Sequence, residues 1–328
     1  MAVFALRVDL RNPDFAGTAM AERYAAALDM VAWAEDRGFM MVVLSEHHGA
    51  ADGYLPRPLP LAAAIAARTT NMLVNIAAIP APLHDPLHMA EEIAVVDLIS
   101  RGRVGVVLAN GYAGDEFAMF DRSPKDRARL TTEMVHTLRA AWTGEPFEFR
   151  GRTVRVTPAP FQPGGPPIVL GGSVEAAARR AARIADGFLP SSPGLWEFYR
   201  DERVSLGHED PGPYFGGDTG FLHLSKDPDA DWERIAPFAL HEANAYGAIM
   251  AEAGTSGTDV GGYASADSAE ALRATGQYRV VTPEQYVDEL KAMGAAAFGL
   301  FHPMMGGIPP ELAWQSLKLL ETEVIPHL

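Results

Sequence analysis

The chain has 328 residues, 48 % of them apolar, and carries a formal net charge of −15 from 27 basic and 42 acidic residues. Such a surface repels nucleic acid and anionic lipid, since both bind by having their phosphates neutralised with Lys and Arg. Cysteine is absent, which excludes disulfides, thiolate nucleophiles and Cys-ligated metals.

The opening MAVFALRVDLRNPD carries Arg and Asp within its apolar run, so it reads as neither signal peptide nor membrane anchor. The expectation is a cytoplasmic protein with no membrane and no nucleic-acid partner. Residues 2–9 form the first predicted strand, and a helical period follows over 18–37 with Tyr24, Leu28, Val31 and Ala32 on one face. Gly38 closes that helix, and FMMVVLS (39–45) is the second strand. A helix near 58–69, a strand at 72–79 (MLVNIAAI) and a helix over 85–98 come next. Asp85 suits the N-cap of the last of these and Pro86 its first turn. RVGVVLA (103–109) is a fourth strand, followed by a helix over 124–142.

The pattern changes at FEFRGRTVRVTP (147–158), where two alternating runs around Arg150-Gly151 predict an inserted β-hairpin. Strand and helix then alternate again: PPIVLGGS with a helix over 174–185, GFLPSS with a helix near 194–206, and TGFLHLS with a helix over 229–253. Residues 254–279 are rich in Gly, Ser, Thr and Ala, lack clear periodicity and exceed ordinary loop length, which predicts a long mobile lid. A TPEQ cap opens a helix through Met293, before strand AAFGLF and a closing helix over 310–324. Continuous apolar runs suit strands covered on both faces of a parallel sheet. Eight β/α units without a Ser-, Gly- or Pro-rich linker predict one domain over residues 1–328, a single α/β (β/α)8 TIM barrel. A doubly wound open sheet is the competing arrangement.

In a barrel, the residues just after each strand build the site. Here they include Asp9, Arg11 and Asn12, then Ser45-Glu46-His47-His48, then His84 and His88, and then Asn110, Gly111 and Tyr112. Gly171-Gly172-Ser173, Ser191-Ser192 and His302 complete the rim. An imidazole beside a carboxylate can exchange protons near neutral pH, which makes His47 and Glu46 catalytic candidates. His84, just outside a helix start, is free to face the mouth, whereas His88 reads as structural. Gly171-Gly172-Ser173 ends a strand and opens a helix, a place where bare backbone N–H groups attract phosphate. The neighbouring Arg179, Arg180 and Arg183 read as solvated helix faces. No metal is expected, because HxH, HExxH and HxxEH spacings are absent and adjacent His47 and His48 point to opposite sides.

The motifs AEDRGFMMVVLSEHH (34–48), the stretch 79–120, PPIVLGGSVEAAARRAARIADGF (166–188), 276–294 and 306–328 resemble the bacterial luciferase-like monooxygenase superfamily. The resemblance implies a barrel that binds a flavin, either reduced FMN or the deazaflavin F420. It makes His47 the catalytic histidine and His84 a second active-site histidine, with Gly171, Gly172 and Ser173 around the flavin phosphate and Ser192 on the same rim. Asn110 falls where some members place a phosphate-binding arginine. A non-proline cis peptide is implied within Asn75-Ile76-Ala77-Ala78, with Ile76 and Ala77 behind the flavin ring, and residues 254–279 match a mobile lid.

The first expectation is therefore a two-component monooxygenase that uses reduced FMN from a separate flavin reductase to oxygenate a small organic substrate. The alternative is F420-dependent hydride transfer, for which Arg7, Arg11 and Arg57 are candidate donors to the polyanionic tail in a chain that is acidic overall. A non-catalytic flavin-binding protein and a metal-dependent hydrolase are further alternatives. Family members commonly form homo-oligomers, including dimers.

Overall fold

The computed structural model describes residues 2–214, 216, 220–252 and 265–328. In chain order it begins with β1 (Val3–Val8), α1 (Met20–Glu35), β2 (Met41–Leu44), α2 (Pro58–Arg68) and β3 (Leu73–Pro80). Next come α3 (Pro86–Ser100), β4 (Val104–Ala109), α4 (Gly114–Met119) and α5 (Arg127–Ala141). A short antiparallel pair follows, β5 (Phe147–Phe149) and β6 (Arg152–Val154), before β7 (Ile168–Gly172), α6 (Glu175–Ile184) and β8 (Gly187–Pro190). The rest is α7 (Leu195–Ser205), β9 (Phe221–Leu224), α8 (Pro228–Glu252), α9 (Ala269–Ala274), β10 (Tyr278–Val281), α10 (Pro283–Met293), β11 (Phe298–Phe301) and α11 (Pro310–Leu319).

The architecture is α/β, with a curled parallel sheet of seven strands in the order β11-β1-β2-β3-β4-β7-β8. Leu6 of β1 stands opposite Val42 on one side and Phe301 on the other, so the first and last strands meet. A second parallel pair joins β9 to β10, Phe221 opposite Tyr278 and Leu224 opposite Val281. β9 packs beside β11 and is tied to α11 by the Leu224 N–H, which donates to Ser316 Oγ at 2.8 Å. Among the described residues, no strand ladder joins this pair to the seven-stranded sheet.

Local chemistry explains the elements. Asp85 caps α3 by accepting from the N–H groups of Leu87 and His88, at 2.9 and 3.2 Å. Thr282 and Gln285 form a reciprocal capping box on α10. Gly38, with φ +76°, takes the left-handed conformation that turns the chain from α1 towards β2. Arg150 and Gly151 both have positive φ, the backbone that joins β5 to β6 with the right twist. Arg23, fully buried on α1, donates to the carbonyls of Met304, Gly307 and Ile308 and so fixes the loop between β11 and α11.

Two differences from the sequence reading affect the site. The first is α4, a six-residue helix directly after β4 that the periodicity did not predict. The second is β10: the run expected as one lid over 254–279 contains α9, capped by Ser268, and the start of a strand. Residues 254–264 of that expected lid lie outside the described residues. β10 is only four residues long and includes Arg279, paired with Glu289 at 2.5 Å, so it lacks the apolar run by which the other strands were recognised. The described parallel strands thus number nine rather than the expected eight. Because the strands are parallel, their C-terminal ends share one side of the sheet, and the polar clusters sit there.

Candidate active site

Glu46, His47 and His48 leave the end of β2, and the two-residue strand period separates their side chains. His47 faces one way. Its Nδ1 lies 2.7 Å from Glu116 Oε1, and the same oxygen accepts the His48 backbone N–H at 2.9 Å. A carboxylate only accepts, so the neutral imidazole carries its proton on Nδ1 and presents the lone pair of Nε2. The Tyr112 hydroxyl stands 3.1 Å from Nε2 and donates to it. The rings of Tyr54, Tyr112 and Tyr246 meet the imidazole edge-on at centroid distances of 4.9, 5.6 and 5.8 Å. The result is an oriented base enclosed by three aromatic rings.

Glu46 and His48 turn the other way. Glu46 Oε1 receives Nε2 of His48 at 2.8 Å and Nε2 of His84 at 2.5 Å. On the far side of His84, Arg57 Nη1 donates to Nδ1 at 3.0 Å, and Arg57 Nη2 grips both oxygens of Glu92 at 2.7 and 2.8 Å. Guanidinium cannot accept, so His84 Nδ1 must hold a lone pair and Nε2 must carry the hydrogen. Burial pushes the Glu46 carboxyl up, but the hydrogen bonds from His48 and His84 outweigh it and hold the group below its ordinary range. Glu46 is thus an ionised post for two imidazoles. This revises the expected pairing: the carboxylate that orients His47 is Glu116, and His84 has both ring nitrogens occupied.

The same protonation pattern argues against a metal at Glu46, His48 and His84, although their ligand atoms lie within 4.8 Å of one another. A ligating histidine donates its outer N–H to an acceptor, whereas His84 meets a donor there. A second close group, Asp9, Glu242 and His302, lies at the ends of β1 and β11 and on α8. His302 sits between the two carboxylates, 3.2 Å from Asp9 and 3.6 Å from Glu242. Arg11 supplies compensating charge nearby, bonded to Asp52 at 2.5 Å and sandwiched between the Tyr54 and Tyr246 rings. Burial raises the Asp9 carboxyl, but His302, Arg11 and Arg7 together hold it well below the usual range. His241 donates to Asp52 at 2.7 Å, and Tyr278 donates to Glu242 at 2.9 Å, which brings α8 and β10 onto the strand ends.

On β3, which is flanked by β2 and β4, the peptide Ala77–Ala78 is cis, and the pairing of β3 with β4 shifts by one residue between Ala77 and Ile79. Both alanines are half-buried, and their side chains are single methyl groups that add little bulk at this strand end. Ile76 belongs to the core and is fully buried, which leaves only its backbone for any ligand. Asn110, at the end of β4, accepts from Arg180 of α6 at 3.0 Å. Gly172 has a packing reason: a Cβ there would meet Ala177 Cβ at 2.6 Å, so α6 could not approach β7. A Cβ on Gly171 would make ordinary contacts with Val107 and Ala109, at 3.5 and 3.6 Å. Ser173 is exposed at the start of the α6 turn, and Ser192 is half-buried, its carbonyl accepting from Leu195 N–H at 3.1 Å.

Sequence reasoning named Tyr112 only as a rim residue and missed Glu116 altogether. The available signal was the pair Asp115-Glu116 after a strand end, residue types that favour a helix's first turn.

A sequence profile described as luciferase-like monooxygenase matches residues 7–299. The chain is 30 % identical over 200 residues to an F420-dependent glucose-6-phosphate dehydrogenase of Nakamurella multipartita, covering 57 % of this chain and 58 % of that one. The match thus spans little more than half the length of that relative. It is 24 % identical over 255 residues to an FMNH2-dependent dimethylsulfone monooxygenase of Pseudomonas fluorescens, covering 72 % and 69 % of the two chains. The crystal structure of monooxygenase RslO1 from Streptomyces bottropensis superposes with a TM-score of 0.75 at 22 % identity, over 99 % of each chain.

Proposed function

The chain belongs to the luciferase-like monooxygenase family, and on that premise we propose that it uses reduced FMN and molecular oxygen to oxygenate a small organic substrate. In this reading a separate flavin reductase delivers the reduced cofactor, and β9, which packs beside β11, is the eighth strand of a (β/α)8 barrel, with β10 an additional strand paired to it. The observation that carries the choice of FMN is the fate of the arginines available for a polyanionic deazaflavin tail. Arg7 is bonded to Tyr246, Arg11 is buried against Asp52, and Arg57 is shared between His84 and Glu92. All three are committed to internal partners, which suits a cofactor with one phosphate better than one with an extended anionic tail.

Reduced FMN would supply the electrons and the oxygen chemistry, while the protein supplies position and proton control. The methyl groups of Ala77 and Ala78 offer the ring its bed. His47 takes or returns a proton at Nε2, and Glu116 holds the ring and stabilises the imidazolium that results. Tyr112, already bonded to Nε2, keeps that lone pair aimed until substrate replaces it. Tyr54 and Tyr246 keep bulk water from the imidazole, which strengthens its bond to Glu116.

An anaerobic titration with reduced FMN and reduced F420 side by side tests the reading. Tight binding of FMN with weak binding of F420 is expected. The reverse preference would replace oxygenation by hydride transfer, the chemistry of the glucose-6-phosphate dehydrogenase relative.

A further inference from the structure

Helix α6 carries three arginines within one and a half turns, and their surroundings differ. Arg179 and Arg183 share the outer face, where both reach Glu202 of α7, at 3.1 and 2.7 Å. Arg179 also closes a pair with Glu175 one turn earlier, at 2.7 Å. These two are the solvated helix face that the sequence predicted. Arg180 is rotated by about a hundred degrees from Arg179 and turns inward. Its Nη2 donates to Asn110 Oδ1 at 3.0 Å, and its Nε is buried with no hydrogen-bond partner among the described residues. Among the described residues, none of the side-chain ion pairs includes Arg180.

The missing carboxylate is informative in a chain with 42 acidic residues and 27 basic ones. A half-buried guanidinium loses hydration, and an unpaired charge in that position is costly until an anion meets it. Burial lowers the Arg180 pKa, and the neighbouring Arg127 lowers it further, so the local field is positive. Asn110 orients the guanidinium through a neutral acceptor, which leaves its charge intact. Gly171, at the end of β7, would place a Cβ only 3.6 Å from Ala109 Cβ, so the ends of β4 and β7 lie side by side next to Asn110.

We propose that Arg180, aimed by Asn110, binds the phosphate of the flavin cofactor in this chain. The inference rests on the flavin reading above and deepens it, because it moves the phosphate charge from the end of β4 to the inner face of α6. The ligand chemistry is a phosphate ester, whether the monoester of FMN or the diester of F420.

The test compares the full-length protein's anaerobic affinity for reduced FMN with that for reduced riboflavin, and for F420 with that for its phosphate-free deazaflavin core. Wild type should prefer the phosphate-bearing member of one pair by about tenfold to a hundredfold, the range of a charge-assisted contact. Which pair shows the preference identifies the cofactor. Arg180→Gln should abolish the preference and leave the phosphate-free form bound as before. Asn110→Asp, which supplies an internal carboxylate without removing the guanidinium, should do the same in a protein whose α6 packing is untouched. Equal affinity of wild type within both pairs overturns the assignment of Arg180 while the flavin reading stands. So does retained preference in either variant, or an equal loss for both members of a pair. Failure of wild type to bind any of the four compounds overturns the flavin reading and this inference with it.

Discussion

His47 and His84 stand at the same end of the sheet, each within hydrogen-bond distance of a buried glutamate, yet they are left in opposite states. Glu116 accepts a hydrogen bond from Nδ1–H of His47, which leaves the Nε2 lone pair facing Tyr112. Arg57 covers Nδ1 of His84 with a donor and so forces its Nε2–H onto Glu46. Residue type does not separate a reacting histidine from a structural one. The second partner does, because it decides which nitrogen keeps a lone pair and whether that lone pair faces the mouth.

The comparison is broken first by testing whether the two imidazoles differ in function. His47→Ala should lower kcat/KM for the oxygenated substrate by about a thousandfold, within the range for removing a general acid–base group. His84→Ala should lose much less activity and lose stability instead. Equal catalytic losses in steady-state assays would abolish the distinction. Glu116→Gln comes next in size. The amide can donate as well as accept, so it no longer fixes the proton on Nδ1, and about a hundredfold loss in kcat/KM is expected with the melting temperature nearly unchanged. The pH–rate profile should flatten with it, which loss of packing alone would not cause.

The other half of the comparison is read by unfolding. Glu46→Ala removes the acceptor shared by His48 and His84 and leaves two buried N–H groups without a partner. A loss of roughly 3 kcal/mol in urea unfolding follows from the cost of unsatisfied buried donors. An unchanged midpoint would mean that water or another group replaces Glu46, and His84 would then not be locked.

Much of this was legible from the sequence, for reasons that also explain the gaps. Glu46, His47 and His48 are contiguous and follow an apolar run, so their place at a strand end could be read directly. The opposite orientation of His47 and His48 followed from the two-residue strand period. Glu116 was hidden because α4 has six residues, too few for a periodic apolar face, and because its partner lies 69 residues away. Arg57 is a candidate donor for an anionic tail on sequence alone, because nothing local reveals contacts 27 and 35 residues distant. Arg179, Arg180 and Arg183 were grouped, since a helix period alone does not say which face meets another strand's end. Strand β10 disappeared into the low-complexity run that precedes it. Short-range pattern thus located the motif, whereas the partners that set its protonation are contacts of the tertiary fold.

A third histidine sharpens the comparison with the smallest effect. His223 of β9 is 1 % exposed, and among the described residues its buried Nε2 has no hydrogen-bond partner. Burial therefore acts on it almost alone and lowers its pKa from 6.5 to about 4, with Asp231 only partly opposing the shift. A folded-state pKa below the unfolded value means that unfolding takes up a proton. The stabilisation is complete above about pH 6.5 and is lost as the pH falls towards 4. By pH 5 the loss from this one group is about 2 kcal/mol. His223→Leu, which keeps the site apolar, should remove that part of the acid slope in urea unfolding measured from pH 7 to 5. His47→Ala should leave the His223 part of the slope in place. If the slope survives in His223→Leu, the imidazole is not held dry and neutral, and its state is set by a partner as in His47 and His84.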